Sequence, residues 1–347
     1  MKMTKEALTL IYESATRLFD DFSTTNGHEL METGQFPEVL WADFLADGWL
    51  TTLLSEEDGG AGLGLEAGCV LMRLAGYYNV SLPVAEALMG VYLSLKSGAE
   101  FSDELIIPVI LDAPFNEQPD IHLYGIPWAR HAASIVVIFT QNNKTQLSLV
   151  KAQDITINAG QNMAGEPRDD VTFKASLLDN SSDVQAMSLK QLESWFALCR
   201  AAQITGTLQR VLEMTVDFAN ERSQFGRPIG KFQAVQQQMA VLAEMTSAAI
   251  CAVDAAIDHL NTEQEWELIA CAKITAGEAA GYAAKTSHAV HAAIGFTQEY
   301  PLQLSTRRLW SWRDEYGNEA YWSAKLGQQC FALDTDSLWS WLTTQTG

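Results

Sequence analysis

The sequence is poor in positive charge. Its 347 residues include 22 lysines and arginines against 43 aspartates and glutamates, which gives a formal net charge of -21 at pH 7. A field of this sign repels nucleic acid and anionic membrane surfaces, so neither is expected as a general partner. A local cluster of basic residues in such a chain is therefore a candidate site.

Cysteine is also sparse. Five cysteines lie far apart, without a C-x-x-C pair, and this spacing predicts neither a zinc site nor a disulfide framework. They are predicted to be reduced core residues. His288 and His291 are three residues apart, a spacing that can serve a metal on a helix, but no third ligand accompanies them at suitable spacing. The prediction is no metal site and two surface histidines.

A long hydrophobic run is missing as well. The first 22 residues, MKMTKEALTLIYESATRLFDDF, are amphipathic, and they carry four acidic residues and no signal-peptide cleavage site. No run of about 18 apolar residues is found elsewhere in the sequence. These features predict a cytoplasmic protein that has no membrane partner.

The spacing of the apolar residues changes twice along the chain. It is helical from residue 4 to about 98, and it becomes a series of short β-rich runs between about 105 and 185. The helical period then returns in four long segments, 190–222, 233–260, 264–294 and 317–333.

These periods predict an α+β, mostly α fold. Because a chain of this length usually forms more than one core, three domains are expected. They are an N-terminal helical domain (1–100), a small, mostly antiparallel β domain (101–187) and a C-terminal four-helix-bundle domain (188–347).

The glycine-rich segment SEEDGGAGLGLEAG lies at 55–68. Its Gly62, Gly64 and Ala67 have the G-x-G-x-x-A spacing of dinucleotide-binding turns. That pattern requires a preceding strand, whereas acidic residues precede it here. A turn between helices is the favoured interpretation.

One basic cluster stands out against the acidic background. The segment ERSQFGRPIGKFQAVQ (221–236) contains Arg222, Arg227 and Lys231, and its glycines and proline predict a turn between two helices. A guanidinium between aromatic side chains suits a phosphate or pyrophosphate, because its planar fork can bond two oxygens. Spacing alone leaves an alternative open, in which these cations are solvated and Arg222 pairs with Asp217 or Glu221.

The same segment resembles the signature E-R-x-Q-F-G-x-P-I-x-x-F-Q-x-V-Q of acyl-CoA dehydrogenases. The stretch WADFLADGWLTTLLSEEDGGAGLGLEAG resembles the family's N-terminal helix pair and its glycine-rich connection. The stretch VHAAIGFTQEYPLQLSTRR resembles the family's Q-x-x-G-G-x-G-F-x-x-E-Y-P region. The resemblance covers nearly the whole chain and implies the family's fold, with its helical, sheet and helical domains.

The resemblance also implies a flavin site. In the family, FAD lies between the sheet domain and the C-terminal domain, and the neighbouring subunit of a dimer holds its ADP end. Acyl-CoA is then the implied substrate, and an oligomer is the implied active form. The residues of this chain that match the cofactor-contacting positions are Arg222, Gln224, Phe225, Phe232 and Gln236.

The resemblance breaks at the catalytic base. The family removes the α-proton of the acyl thioester with a glutamate while the β-hydrogen leaves as hydride to the flavin, and burial gives such a carboxyl the basicity it needs. The two known locations of that glutamate fall on Tyr316, nine residues after Arg307, and on Phe196, 26 residues before Arg222. Neither residue is a carboxylate.

Two acidic residues lie close to these positions. Glu193 is about one helical turn from Phe196, and Glu315 directly precedes Tyr316. A slipped alignment makes Glu315 the candidate catalytic residue, although the reaction requires its carboxylate to be aimed closely. The alternative is that SWRDEYGNEAYW forms an acidic, aromatic-rich loop at a subunit contact.

Other family positions also differ. Ala292 and Ala293 replace the two glycines of Q-x-x-G-G, and their methyl groups are expected to crowd a close backbone approach. The family's T-E-P-x-x-G-S-D and W-I-T-N stretches, which contact the flavin ring, have no match, and GIPWARHAASIVV and AGEPRDDV stand in the sheet domain instead. The chain is therefore predicted not to hold a flavin ring in its own sheet domain.

Two tryptophans lie near the C-terminal end of the resemblance. Trp310 and Trp312 lie between Arg308 and Arg313. They predict either a cation–π platform for CoA or a packed interface.

Some acyl-CoA dehydrogenases, notably those similar to enzymes of steroid side-chain breakdown, pair two different chains. One chain carries the base and the flavin-ring site, and the other carries the clamp arginine. This sequence resembles the second kind and is interpreted as the subunit that lacks the base. The alternatives are a self-sufficient homodimeric dehydrogenase that uses Glu315, and a flavin-free scaffold of the same fold.

Overall fold

The computed structural model describes residues 5–25, 33–112, 118–184, 187–333 and 335–344. The chain divides into two compact units. The first comprises Met1–Leu71 and Val80–Glu193, and the second comprises Met72–Asn79 and Ser194–Gly347. The three-domain division at residues 100 and 187 stays a prediction.

Helices begin the chain, as the apolar spacing predicts. On the first of them, Ile11, Ala15 and Phe19 are buried at intervals of four residues, which places one apolar stripe on the core side. The helices are α1 (Lys5–Thr25), α2 (Glu38–Ala46), α3 (Gly64–Tyr77) and α4 (Val84–Lys96).

The first unit also contains two small sheets. One has the strand order β1-β3-β4-β7 and the other β2-β6-β5. All pairings are antiparallel except β1 with β3, which is parallel, so the predicted sheet type is confirmed with one exception. The strands are β1 (Ile106–Leu111), β2 (Asp120–Pro127), β3 (Ser134–Gln141), β4 (Lys144–Lys151), β5 (Thr156–Asn158), β6 (Arg168–Lys174) and β7 (Ser182–Asp183).

Long helices make up most of the second unit. The three longest agree with the predicted segments to within a few residues, and the predicted segment 317–333 corresponds to the helix Glu319–Ala332. The prediction missed the helix Leu302–Asp314, which follows Pro301. The helices are α5 (Leu189–Glu221), α6 (Gln233–Asp258), α7 (Glu265–His291), α8 (Leu302–Asp314), α9 (Glu319–Ala332) and α10 (Thr335–Thr344).

Two glycines bring α3 and α5 into backbone contact within the second unit. A Cβ atom on Gly76 would lie 2.0 Å from the carbonyl oxygen of Gln203, and one on Gly206 would lie 1.8 Å from that of Arg73. The Thr207 hydroxyl donates a 2.8 Å hydrogen bond to the carbonyl of Gly76. The two helices can therefore cross only where neither carries a side chain.

Helix α6 differs from the sequence prediction in one respect. By length and composition it is apolar enough to cross a membrane. Of its most apolar 18-residue window, 28% is buried in the structure. The sequence pattern alone had predicted no such run. One helix of this kind is weak evidence for a membrane span, and α6 packs along α7.

The cysteine and glycine predictions have mixed outcomes. Cys69 and Cys199 are buried, as predicted, but the prediction is wrong for Cys251 and Cys271, which are exposed. Residues 55–63 form turns that lead directly into α3, in agreement with the interpretation of a turn.

Candidate functional site

The basic cluster forms a tight hairpin between α5 and α6. Strand β8 (Ser223–Gln224) pairs antiparallel with β9 (Arg227–Pro228). The two residues between them, Phe225 and Gly226, have φ values of 51° and 79°, as a type I′ turn requires. Phe225 therefore sits at the tip of the hairpin, where it is 93% exposed.

A cleft of about 590 Å³ lies beside this hairpin, within the second unit. It brings four of the five predicted cofactor residues, Arg222, Gln224, Phe225 and Phe232, together with residues 289–294 at the end of α7. The two phenylalanine rings meet edge to face, with centroids 6.2 Å apart. A cationic side chain and two aromatic rings thus line one cleft, which is the combination that suits a nucleotide phosphate and its base.

Arg222 is exposed at this cleft. Its backbone is fixed by a 2.9 Å hydrogen bond to the carbonyl of Phe218 and a 2.8 Å bond from the amide of Ile229. Among the described residues its side chain forms no ion pair with Asp217 or Glu221. The alternative of an internal ion pair is therefore wrong, and the guanidinium is available to a ligand.

Gln236 does not line the cleft. Its side-chain amide donates a 3.0 Å hydrogen bond to the carbonyl of Gly230 and so supports the base of the hairpin. Gln238 and Phe218 line the cleft instead, and the sequence motifs pointed to neither. Helical spacing could have found Phe218, because it lies four residues before Arg222 on the same helix face.

Ala292 keeps a glycine-type backbone at the end of α7. Its φ of 53° and ψ of -139° lie in a region that residues with a Cβ rarely adopt and that costs about 1–3 kcal/mol. Its amide donates to the carbonyl of His288. Ala292 thus carries backbone strain at the wall of the cleft, at a position where the resembled motif has glycine.

Replacing Ala292 with glycine should raise the free energy of unfolding by about 1 kcal/mol, because the strain is released while only the backbone entropy of glycine opposes it. Chemical denaturation measures this change. Ala293→Gly is the matched control, since Ala293 has no positive φ, and it should lower stability. If both substitutions were destabilising, Ala292 would not be strained.

The prediction that His288 and His291 are surface residues is wrong. His291 is 2% exposed, its Nδ1 lies 2.8 Å from the carbonyl of Ser287 and its Nε2 lies 3.2 Å from the hydroxyl of Tyr300. His288 is half-buried and stacks on Phe296 at 4.1 Å. Burial lowers the pKa of both histidines. No group of three metal-ligating side chains that could hold a metal ion was found in the described ranges.

The two positions predicted for the catalytic base meet in space. The rings of Phe196 on α5 and Tyr316 after α8 stack with centroids 5.2 Å apart. Glu315 forms a 2.7 Å ion pair with Arg200, which is almost fully buried. Both base positions thus carry aromatic rings, and the neighbouring carboxylate is engaged by a guanidinium.

The loop that carries Glu315 and Tyr316 is short, and hydrogen bonds from buried side chains hold it. The predicted loop SWRDEYGNEAYW is helical at both ends, so only residues 315–318 lie between α8 and α9. The ammonium of the buried Lys273 donates to the carbonyls of Arg313 and Gly317 at 2.7 and 2.6 Å. The indole of Trp322 donates to the carbonyl of Tyr316 at 3.0 Å.

The contribution of Lys273 to the free energy of unfolding depends on pH. Burial lowers the pKa of Lys273 from 10.5 to about 8. Between these values the unfolded chain binds more protons than the folded chain, so the contribution of Lys273 to the free energy of unfolding rises with pH. The stability difference between the native chain and Lys273→Met should therefore grow by about 1 kcal/mol per pH unit in this window. Urea denaturation at several pH values measures it, and a constant difference would contradict the prediction.

In the first unit, the stretches GIPWARHAASIVV and AGEPRDDV are joined by one ion pair. Asp169 is fully buried and accepts hydrogen bonds from the backbone amide of Arg130 at 2.8 Å and from its Nε at 2.9 Å. It also accepts from the amide of Gly160 at 3.2 Å. The Arg130 side chain is therefore committed to a structural contact within the sheet region.

The two tryptophans have different surroundings. Trp312 is buried, and the Arg200 guanidinium lies 5.5 Å from its ring centroid. Trp310 is 41% exposed, with Arg313 at 5.4 Å from its ring. Only Trp310 is exposed enough to serve as a platform for a ligand, and CoA binding there stays a prediction.

Comparisons with known proteins identify the family. The model described as the C-terminal domain of acyl-CoA dehydrogenase matches residues 191–314, and the model of its N-terminal domain matches residues 5–111. The two matches together cover more than half of the chain. The chain belongs to the acyl-CoA dehydrogenase family, as the sequence motifs predict.

Several relatives are similar over most of their length. Acyl-CoA dehydrogenase IpdE2 of Mycobacterium tuberculosis is 28% identical over 282 residues, which cover 79% of this chain and 80% of the relative. Benzylmalonyl-CoA dehydrogenase of Aromatoleum aromaticum is 24% identical over 342 residues, 86% and 90% of the two chains.

A solved structure agrees with the fold. The ChsE4-ChsE5 complex from Mycobacterium tuberculosis contains a chain that matches with a TM-score of 0.84 at 19% identity, and the match covers 96% of this chain and 99% of that one. At this identity the likeness shows the fold alone, and it confirms the predicted architecture.

Proposed function

We propose that this chain is the subunit without a base in a heteromeric FAD-dependent acyl-CoA dehydrogenase. It holds the ADP end of the flavin, while a second acyl-CoA dehydrogenase chain supplies the catalytic base and the site of the flavin ring. The complex introduces an α,β double bond into an acyl-CoA thioester. The acidic composition argues against nucleic acid or an anionic membrane surface as a partner, and the cytoplasm is the proposed location.

The cleft beside the hairpin carries this proposal. Arg222 offers a guanidinium that has no acidic partner within the described ranges, and a pyrophosphate can accept two hydrogen bonds from such a fork. Phe225 offers an exposed ring to an adenine, and Phe232, which carries the Arg227 guanidinium at 4.2 Å from its ring centroid, lies edge to face beside it. The volume of about 590 Å³ lies within the range of small-molecule sites. The residues present therefore fit the ADP end of FAD.

When bound, FAD supplies the acceptor for the hydride that leaves the β-carbon of the acyl group. The tasks of this chain concern binding and orientation. Arg222 neutralises the pyrophosphate charge, the two phenylalanines exclude water from the adenine, and the hairpin fixes the position of the arginine backbone. None of these tasks requires a proton acceptor in this chain.

The base positions support a division of labour between two chains. Phe196 and Tyr316 carry no carboxylate that could accept the α-proton, and Glu315 is paired with Arg200. In the sheet region, Arg130 is bound to Asp169 where the family's ring-contacting stretches are expected. The structurally similar ChsE4-ChsE5 assembly is a complex of two proteins, and a similar assembly is proposed for this chain.

The visible absorption spectrum tests the proposal. The protein is purified alone and after co-expression with a second acyl-CoA dehydrogenase chain from the same genome that has a glutamate at a base position. Flavin absorption in the complex and not in the single chain is the expected result. Flavin bound to the single chain would instead favour a homodimeric enzyme that uses Glu315, and absence of flavin from both samples would favour a scaffold.

A further inference from the structure

Four planar groups form one continuous stack in the second unit. The rings of Phe196 and Tyr316 are stacked at 5.2 Å. The guanidinium of Arg200 lies 5.4 Å from the centroid of the Tyr316 ring and 5.5 Å from that of Trp312. The order is therefore phenylalanine, tyrosine, guanidinium and indole. We call this set the guanidinium stack.

Arg200 is the charged member of the guanidinium stack and is 2% exposed. It forms the 2.7 Å ion pair with Glu315 and donates to the side-chain oxygen of Gln203. A buried guanidinium is strongly favoured when a carboxylate accompanies it, since an unpaired buried charge is costly. The stack therefore favours an ionised carboxylate beside it.

We infer that Arg200, and not only the missing glutamate, keeps position 316 unfit to accept a proton. The inference rests on the proposed function in one respect, because it takes position 316 as the family's base position. A carboxyl group attached there would lie beside the guanidinium that now faces the tyrosine ring. The guanidinium would hold it in the ionised form with a low affinity for protons.

Without the guanidinium, the same carboxyl would lose the cation that faces it and would keep the aromatic side chains around it. Phe196 and Trp312 are almost fully buried, and burial among apolar side chains favours the protonated carboxyl. A carboxyl of that kind has the raised basicity that proton abstraction requires. Arg200 thus acts as a determinant of catalytic competence through the electrostatics of one position, without touching a substrate.

The test measures the pKa of a carboxyl introduced at position 316 in the full chain. The first variant is Glu315→Gln with Tyr316→Glu, so that no second carboxylate competes for Arg200. The second variant adds Arg200→Met, which keeps an unbranched side chain and removes the guanidinium with its charge. Lys273, Arg313, Asp314 and Glu319 are present in both variants, so their fields act in both. The titration is followed by carbon NMR of the labelled glutamate carboxyl.

The introduced carboxyl should have a pKa lower by about 2 in the variant that retains Arg200. Equal pKa values, or a higher value beside Arg200, would overturn the inference. Arg200→Gln provides a second neutral variant if Arg200→Met does not fold. The first variant is also decisive by itself, since a pKa above the ordinary value of a glutamate would contradict the inference while Arg200 is in place.

This experiment is separate from the test of the proposed function. It requires neither flavin nor a partner chain, and its readout is a titration and not an activity. A chain could fail to complete a flavin site and still show the effect of Arg200. It could equally complete the flavin site and show no such effect.

Discussion

Replacing Arg222 with alanine should strip FAD from the proposed complex while leaving the chain folded. A hydrogen-bonded charge contributes about 1.5–3 kcal/mol, so the affinity for FAD should fall by roughly 10- to 150-fold. The side chain is exposed and forms no ion pair with any residue that the structure describes, so the melting temperature of the isolated chain should change little. The flavin content of the purified complex, read from its visible absorption, measures the effect.

Lys231→Ala is the matched control for Arg222. It removes the same charge from the same hairpin segment, but Lys231 does not line the cleft. Its complex should keep its flavin. If Arg222→Ala retained flavin at the native level, Arg222 would not be the clamp, and the cleft would require another explanation.

Replacing Gly206 with alanine should lower the free energy of unfolding by about 3 kcal/mol or more. The new Cβ would lie 1.8 Å from the carbonyl oxygen of Arg73 and 2.9 Å from the amide nitrogen of Tyr77. Both atoms belong to a helix backbone and cannot rotate away as a side chain can. The crossing of α3 and α5 would have to open, with loss of the hydrogen bond from Thr207 to Gly76. Urea denaturation of the purified chain measures the change.

Gly327→Ala is the matched control for Gly206. Gly327 also lies inside a helix, but a Cβ atom there would meet no atom within 4 Å. Alanine should therefore stabilise α9 by about 0.5–1 kcal/mol through its better helix propensity. A Gly206→Ala variant as stable as the native chain would mean that α3 and α5 do not cross at this distance.

The sequence predicts the long helices well, because each buries one apolar stripe. Helices α5, α6 and α7 repeat small and apolar residues at three and four positions, and this period is visible without any tertiary information. Helix α8 was missed for a physical reason. Its sequence LQLSTRRLWSWRD is polar, yet Arg308 is fully buried in it, so its inward face does not look apolar.

The cleft was predicted in part. Arg222, Gln224, Phe225 and Phe232 could be named because a contiguous segment of the sequence carries them. Their convergence with residues 289–294 depends on how α5 and α7 pack, and no local pattern contains that information. The guanidinium stack was missed for the same reason, although an arginine inside the apolar run WFALCRAAQ was a visible signal that Arg200 required a partner.

Helix α5 carries Arg200 in its first half, and Arg222 follows directly after its end. At 1.5 Å per residue the two arginines are about 33 Å apart along one helix. Effects of substitutions at such distances usually add without coupling. A substitution in one region is therefore expected to leave the other region unchanged, so the proposed nucleotide clamp can persist where the predicted base position carries no carboxylate. The length of one helix thus makes the two regions energetically independent.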